Sequence, residues 1–160
     1  LVVVEVRRAG SEDLVAVRRV ADAALWDAYS GLLDESTISA LLQRDFSPAS
    51  LRRRLTRGEV LVADDGGRVV GFVETVADEG EVRLLRLGMG SGNGHRAAAA
   101  ALLGEVRRRA SRLPVSADVL LGCLPVEGCL EEAGFVPGET LALSLFGQEA
   151  VARRWWLAPP

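Results

Sequence analysis

Apolar and polar positions along the chain change period several times, and each change marks an element. Val2 to Arg8 is a β-branched run that predicts a first strand, ended by Ala9-Gly10. Ser11 then stands as an N-cap before Glu12 and Asp13, acids at the positive end of a helix. Leu14, Val17, Ala21, Ala24, Leu25 and Ala28 recur at helical spacing, so that helix runs to about Tyr29. Ser36-Thr37 opens a second helical stretch with Ile38, Leu41 and Leu42 on one face. Ser47-Pro48 is an N-cap followed by a first-position proline, and the short helix after it carries Leu51 and Leu55 and stops at Gly58.

The period then shortens. Val60 to Asp64 and Arg68 to Ala77 read as strands around the hairpin signal Asp65-Gly66-Gly67. Asp78-Glu79-Gly80 turns the chain again, and Glu81 to Leu87 is a fourth strand. Gly88-Met89-Gly90-Ser91-Gly92-Asn93-Gly94 follows, and a helix runs from there to about Arg112, closed by Pro114. Leu102, Val106, Ala110 and Leu113 lie on its buried side. Val115 to Leu121 is a fifth strand, Val126 to Ala133 a short helix, and Thr140 to Phe146 a last strand. The tail Arg153-Arg154-Trp155-Trp156 shows no evident partner, and its exposed aromatics point to a homodimer. The order β-α-α-β-β-β-α-β-α-β puts three antiparallel-compatible strands in the middle. That argues against a doubly wound parallel sheet and for an α+β, three-layer fold, a mixed sheet with helices on its faces. No internal repeat or linker is visible, so a single domain over residues 1–160 is expected.

Composition removes several chemistries. The 19 basic side chains are all arginine, so a phosphate-binding P-loop lysine and lysine Schiff bases are excluded. One histidine and two cysteines make a Cys/His zinc site improbable, and no metal is expected. A nucleophilic triad would rest on His95 alone. The net charge is −3 and the basic clusters alternate with acidic ones, against a nucleic-acid surface. No apolar run reaches the ~18 residues that span a bilayer, and the N-terminus lacks a signal-peptide pattern. Cys123 and Cys129 read as reduced, which places the protein in the cytoplasm.

The most informative stretch is the strand, glycine-rich loop and helix from Val82 to Val106. Four of the seven residues from Gly88 to Gly94 are glycine, five alanines follow from Ala97 to Ala101, and no acid appears in the helix before Glu105. Glycines let an anion approach the backbone, and a helix N-terminus offers unpaired N–H groups and about half a positive charge. Small side chains in the first turns leave room, and Arg96 adds a cation. Such an arrangement suits a phosphate or pyrophosphate. Gly92-Asn93-Gly94-His95-Arg96-Ala97 also matches the relaxed dinucleotide pattern G-x-G-x-x-A, a weaker reading because about 80 residues precede it.

Strand, glycine-rich loop, helix with Leu102-Leu103 and Val106, strand, then a short helix ending in Gly134-Phe135 together resemble the GNAT-type N-acetyltransferase superfamily. The resemblance covers nearly the whole chain in element order and is strongest over Glu81 to Phe135. It implies a GNAT-like, mostly antiparallel sheet with the acyl-CoA site between the fourth and fifth strands. It implies acetyl-CoA as cosubstrate and a primary amine of a small molecule or peptide as acceptor. The family's R/Q-x-x-G-x-G/A loop falls on Gly94, Ala97 and Ala99 when Leu102-Leu103 is aligned, a degenerate form; alternatively Gly92 and Gly94 are the working pair. By the same resemblance Gly92, Asn93, Gly94, His95, Arg96, Ala97, Ala98 and Ala99 surround the pyrophosphate, and Leu85, Leu87 and Met89 meet the thioester and pantetheine through their backbone. Glu81 falls on the position of the family's general base, with Glu74 second; a carboxylate beside apolar residues suits proton abstraction near neutrality. Trp26, Tyr29, Asp34 and Glu35 fall in the acceptor region, where aromatic and acidic side chains suit a cationic amine. Leu130 stands where the family often has a tyrosine that protonates the leaving thiolate, and Cys123 where an asparagine is common. These two departures motivate an alternative, a GNAT-fold protein that binds acyl-CoA or a partner without catalysis; a nucleotide-binding module is third.

Overall fold

The computed structural model describes residues 3–90 and 94–160. Seven strands form one mixed sheet: β1 (Glu5–Arg8), β2 (Val60–Asp65), β3 (Arg68–Asp78), β4 (Glu81–Met89), β5 (Val115–Leu120), β6 (Val136–Leu145) and β7 (Gln148–Leu157). Their spatial order is β1-β2-β3-β4-β5-β7-β6, with β4 and β5 parallel and every other pair antiparallel. Five helices flank it: α1 (Leu14–Tyr29), α2 (Glu35–Phe46), α3 (Pro48–Thr56), α4 (His95–Ala110) and α5 (Leu124–Glu132).

The layering follows from side-chain alternation. On β2, Val60 and Val62 pack with Val17, Val20, Phe46, Leu51 and Leu55 of α1 to α3. Leu61 and Ala63 pack on the opposite face with Leu102, Leu103 and Val106 of α4. A strand covered on both sides reads as a continuous apolar run. The α4 alanines serve close approach: Ala98 and Ala99 are fully buried, and a Cβ on Gly71 of β3 would stand 3.6 Å from the Ala98 methyl. The β2–β3 hairpin closes on Gly66 and Gly67, both at positive φ, as its two-residue turn demands. Gly88 is required for another reason, since a Cβ there would lie 2.3 Å from the Phe72 ring.

The tail departs from the sequence reading. It is a full seventh strand, β7, inserted between β5 and β6, with Trp155 beside Ala117 and Leu157 beside Val115. Trp155 is buried in the α4 layer and Trp156 is half-buried, so the exposed aromatics that pointed to a homodimer are not there. Charge hid the strand. Arg154 is tied to Asp118 of β5 at 2.7 and 3.0 Å, and Arg153 donates to the Gly138 carbonyl at 2.7 Å. Strand β6 begins at Val136, earlier than its apolar run suggests. The long helix α4 stops at Ala110, where Ser111 takes a left-handed φ of 58°, before Pro114 is reached.

Candidate active site

Strand β4 treats its two neighbours differently. It pairs with β3 along its whole length, but with β5 over only three residues, Val82, Leu84 and Arg83 opposite Val115, Ala117 and Ser116. Beyond Leu84 the parallel strands part. The cause is local: the β3–β4 register slips between Glu74 and Thr75, which face Arg86 and Leu84, so Leu85 is the extra residue of a β-bulge. A bulge bends and twists its strand. Meanwhile β5 continues to Leu120 on the β7 ladder.

A cavity of about 220 Å³ fills the gap. Leu84, Leu85, Arg86 and Leu87 form one side and Ala117 to Leu120 the other. Tyr29 of α1 and Arg44, Asp45 and Phe46 of α2 close one end, with Leu130 and Cys123 opposite and Leu143 and Leu145 of β6 beneath. Tyr29 brings the one hydroxyl among the described lining residues. Burial pushes it up to about 12, with Cys123 and Asp45 adding to the shift and Arg86 opposing it, so it stays protonated at neutral pH. Burial likewise raises the thiols of Cys123 and Cys129, which therefore stay protonated.

Behind the cavity lies a chain of ion pairs. Glu74, fully buried on β3, meets Arg54 at 2.8 Å and Arg86 at 3.0 Å. Arg86 reaches on to Asp45 at 3.2 Å, and Asp45 also takes a two-pronged hydrogen bond from Arg44 at 2.9 and 3.0 Å. Burial alone would raise the Asp45 carboxyl; hydrogen bonds and charge from Arg44 and Arg86 outweigh it and hold it below its ordinary range. Arg54 is fixed further by Ser50 Oγ at 2.6 Å and by the Asp45 carbonyl, and lies over the Phe46 ring.

The structure distributes the sequence candidates unevenly. Leu85, Leu87 and Tyr29 line the cavity together. Glu81 opens β4 three residues before the strands part and does not line it; its Oε2 is buried without a hydrogen-bond partner among the described residues. Glu74 lies behind Arg86, outside the lining. Met89 ends β4 against the Cys129 sulfur at 3.8 Å. Gly94 caps α4, its carbonyl accepting from Ala98 N at 3.0 Å, and His95, Arg96 and Ala97 form the first turn. Arg96 meets Glu132 of α5 at 3.3 Å across a groove of about 230 Å³ between α4 and α5. Gly92 and Asn93 lie outside the described residues. Trp26 turns to an outer groove between α1 and α2, the Asp34 N–H donates to Gln148 Oε1 at 2.9 Å, and Glu35 is exposed in the first turn of α2. Arg44, Asp45 and Arg86 are lining residues that sequence reasoning missed. Arg86 alone has a signal, a charge set inside an apolar strand, Leu85-Arg86-Leu87.

No family model matches the chain, and no curated protein matches it. Solved structures do. PaiA N-acetyltransferase from Thermoplasma acidophilum, in complex with coenzyme A, superposes with a TM-score of 0.81 at 21% identity, covering 94% of this chain and 98% of that one. The fold is that of the GNAT N-acetyltransferases. A GCN5-related N-acetyltransferase from Rhodopseudomonas palustris gives 0.79 at 15% identity over 99% of this chain and 98% of that one. The ribosomal-protein-alanine N-acetyltransferase from Brucella melitensis gives 0.64 at 23% over 96% and 99%. The likeness of fold thus spans nearly the whole chain. Among the described residues no helix is long and apolar enough to cross a membrane, and no group of three or more metal-ligating side chains is found.

Proposed function

We propose that the chain is a single acetyl-CoA-dependent N-acetyltransferase domain that moves an acetyl group to a primary amine by direct attack. The observation that carries this is the open edge of β4 beyond Leu84, facing a cavity with a helix N-terminus downstream. Acetyl-CoA is the cosubstrate. Backbone groups of Leu85 and Leu87, released from β5, are free to pair with the amides of the pantetheine arm. The α4 N-terminus at Gly94, with Arg96, receives the pyrophosphate through N–H groups, the helix dipole and one cation.

The amine arrives as an ammonium ion and must lose a proton first. Glu81, with a buried oxygen that has no hydrogen-bond partner among the described residues, takes it, relayed by water across the three residues that separate it from the parting point. The amine lone pair then forms the C–N bond at the thioester carbon. The C–S bond breaks, the thiolate leaves with the electron pair, and it takes up the second proton that the attacking nitrogen sheds as the amide forms. Leu130 offers it no proton; a thiol of pKa about 8.5 is a tolerable leaving group. The Tyr29 hydroxyl, kept protonated by burial, supplies the cavity's own O–H donor to the departing sulfur. Glu74, engaged by two guanidinium groups, serves as the anchor of Arg86. Isothermal calorimetry with acetyl-CoA tests the reading. Micromolar binding followed by CoA release with an amine is expected, and no binding at high micromolar cosubstrate overturns it. Leu130 favours one second reading, a non-catalytic acyl-CoA binder, for which binding occurs and no amine is acetylated.

A further inference from the structure

The charged wall of the cavity is specific about what it can hold. Two carboxylates line it, Asp45 and Asp118, and arginine has taken both. Asp45 accepts Arg44 Nε at 2.9 Å, Arg44 Nη2 at 3.0 Å and Arg86 Nη2 at 3.2 Å. Asp118 accepts Arg154 Nε at 2.7 Å and Nη2 at 3.0 Å, with Arg83 at 3.5 Å. The guanidinium groups are not used up. Each carries five N–H donors. Arg86 spends Nη1 on Glu74 and Nη2 on Asp45, and Arg44 spends Nε and Nη2 on Asp45 and lies over the Phe146 ring, its Nη1 having no hydrogen-bond partner among the described residues. In this network Arg44, Arg54 and Arg86 face Asp45 and Glu74, an excess of one positive charge.

We propose that the acceptor is an amine that also carries a carboxylate, of the α-amino-acid class, with Arg44 and Arg86 receiving the carboxylate. The proposal rests on the acetyltransferase reading above and names the substrate class of that site. A planar guanidinium fork matches a carboxylate, and Asp45 and Glu74 hold these forks in place before the substrate arrives. Leu25, Leu41, Leu143 and Leu145 complete the lining and suit an apolar side chain. A polycation finds no free carboxylate on this wall. Three of the acceptor candidates that suggested a cationic amine, Trp26, Asp34 and Glu35, lie outside the lining.

The test is CoA-thiol release at saturating acetyl-CoA with the standard L-amino acids, their methyl esters and spermidine as acceptors. A free amino acid should be the best acceptor, and its ester should lose about tenfold or more in kcat/KM, as for a lost hydrogen bond to a charged group. Arg44→Gln, at an exposed side chain, should raise KM for the acid by about tenfold and narrow the acid-to-ester ratio. Arg86→Lys should do the same while keeping the charge. Arg52→Gln, on the exposed face of α3, should change neither. Thermal melts confirm that each variant is folded. The proposal is overturned if spermidine or the esters match the free acids, or if Arg44→Gln leaves the ratio unchanged. If acetyl-CoA binds and only amines without a carboxylate are acetylated, the substrate class is wrong and the acetyltransferase reading stands. If acetyl-CoA does not bind, both fall.

Discussion

Strand β4 has a closed side and an open side. Toward β3 it forms a ladder from Asp78–Glu81 to Gly71–Met89, backed by the buried pair Glu74–Arg86 and by the Phe72 ring over Gly88. Toward β5 it forms three rungs and stops. The same backbone is thus a structural joint on one edge and an unpaired edge beside a cavity on the other. The bulge at Leu85 belongs to both, because it shifts the β3 register and re-aims the strand away from β5. The ion pairs and packing lie on one side and the proposed chemistry on the other, so the two can be perturbed separately.

Glu74→Ala breaks the closed side and should have the largest effect. It leaves Arg54 partly buried without its anion and Arg86 with Asp45 alone, a loss of about 3–5 kcal/mol, read from the urea midpoint. Glu81→Gln probes the proposed proton transfer. Turnover should fall by about 100-fold or more, while acetyl-CoA binding and the melting temperature hold; unchanged turnover would remove Glu81 from the mechanism. Gly88→Ala sharpens the contrast, since a methyl driven into the Phe72 ring should cost about 1–3 kcal/mol. Arg96→Glu should weaken acetyl-CoA binding by roughly tenfold with no change in stability, since its partner Glu132 is exposed.

The smallest effect is a pH dependence shared by both sides. The Arg7 hydrogen bonds lower the Asp13 carboxyl against the opposing effect of burial, and Arg44 and Arg86 lower Asp45 in the same way. A carboxylate with a depressed folded pKa contributes its stability in full above the unfolded value, about 3.9 for aspartate. That contribution disappears as pH falls through the folded pKa. Stability should therefore be flat near neutrality and decline below about pH 4, and Asp13→Asn should flatten the decline.

The sheet core was legible because its strands are apolar runs bounded by glycine turns, and the helices because their apolar positions keep a steady period. The α+β class follows from that order, whereas the GNAT resemblance is what points to the gap between the fourth and fifth strands, where the cavity lies. Strand β7 was hidden because Arg153 and Arg154 interrupt its alternation, and only the folded sheet supplies Asp118 and the Gly138 carbonyl to receive them. The Glu74–Arg86 pair was hidden by the bulge. Counting outward from the turn that pairs Asp78 with Glu81 would set Glu74 against Leu85, and one extra residue moves it to Arg86. Asp45 lies still further off, on a helix whose end meets the cavity only through tertiary packing. Leu85 and Leu87 of the lining came through the GNAT resemblance, and the charged wall required the fold.

The insertion of β7 between β5 and β6 has a consequence for how the chain is made. The ribosome releases the β7 segment after every other strand, yet it occupies an interior place in the sheet. Until Gln148–Leu157 emerges, β5 has no antiparallel neighbour and β6 has nothing to pair with. The nascent chain therefore carries two unsealed strand edges until synthesis of this segment is complete, the condition in which chains join edge to edge. Closure waits on contacts between distant parts of the sequence, which slows the final step. The cavity beside β4, lined in part by Leu143, Leu145 and Ala152, is completed by the same late event that ends this exposure.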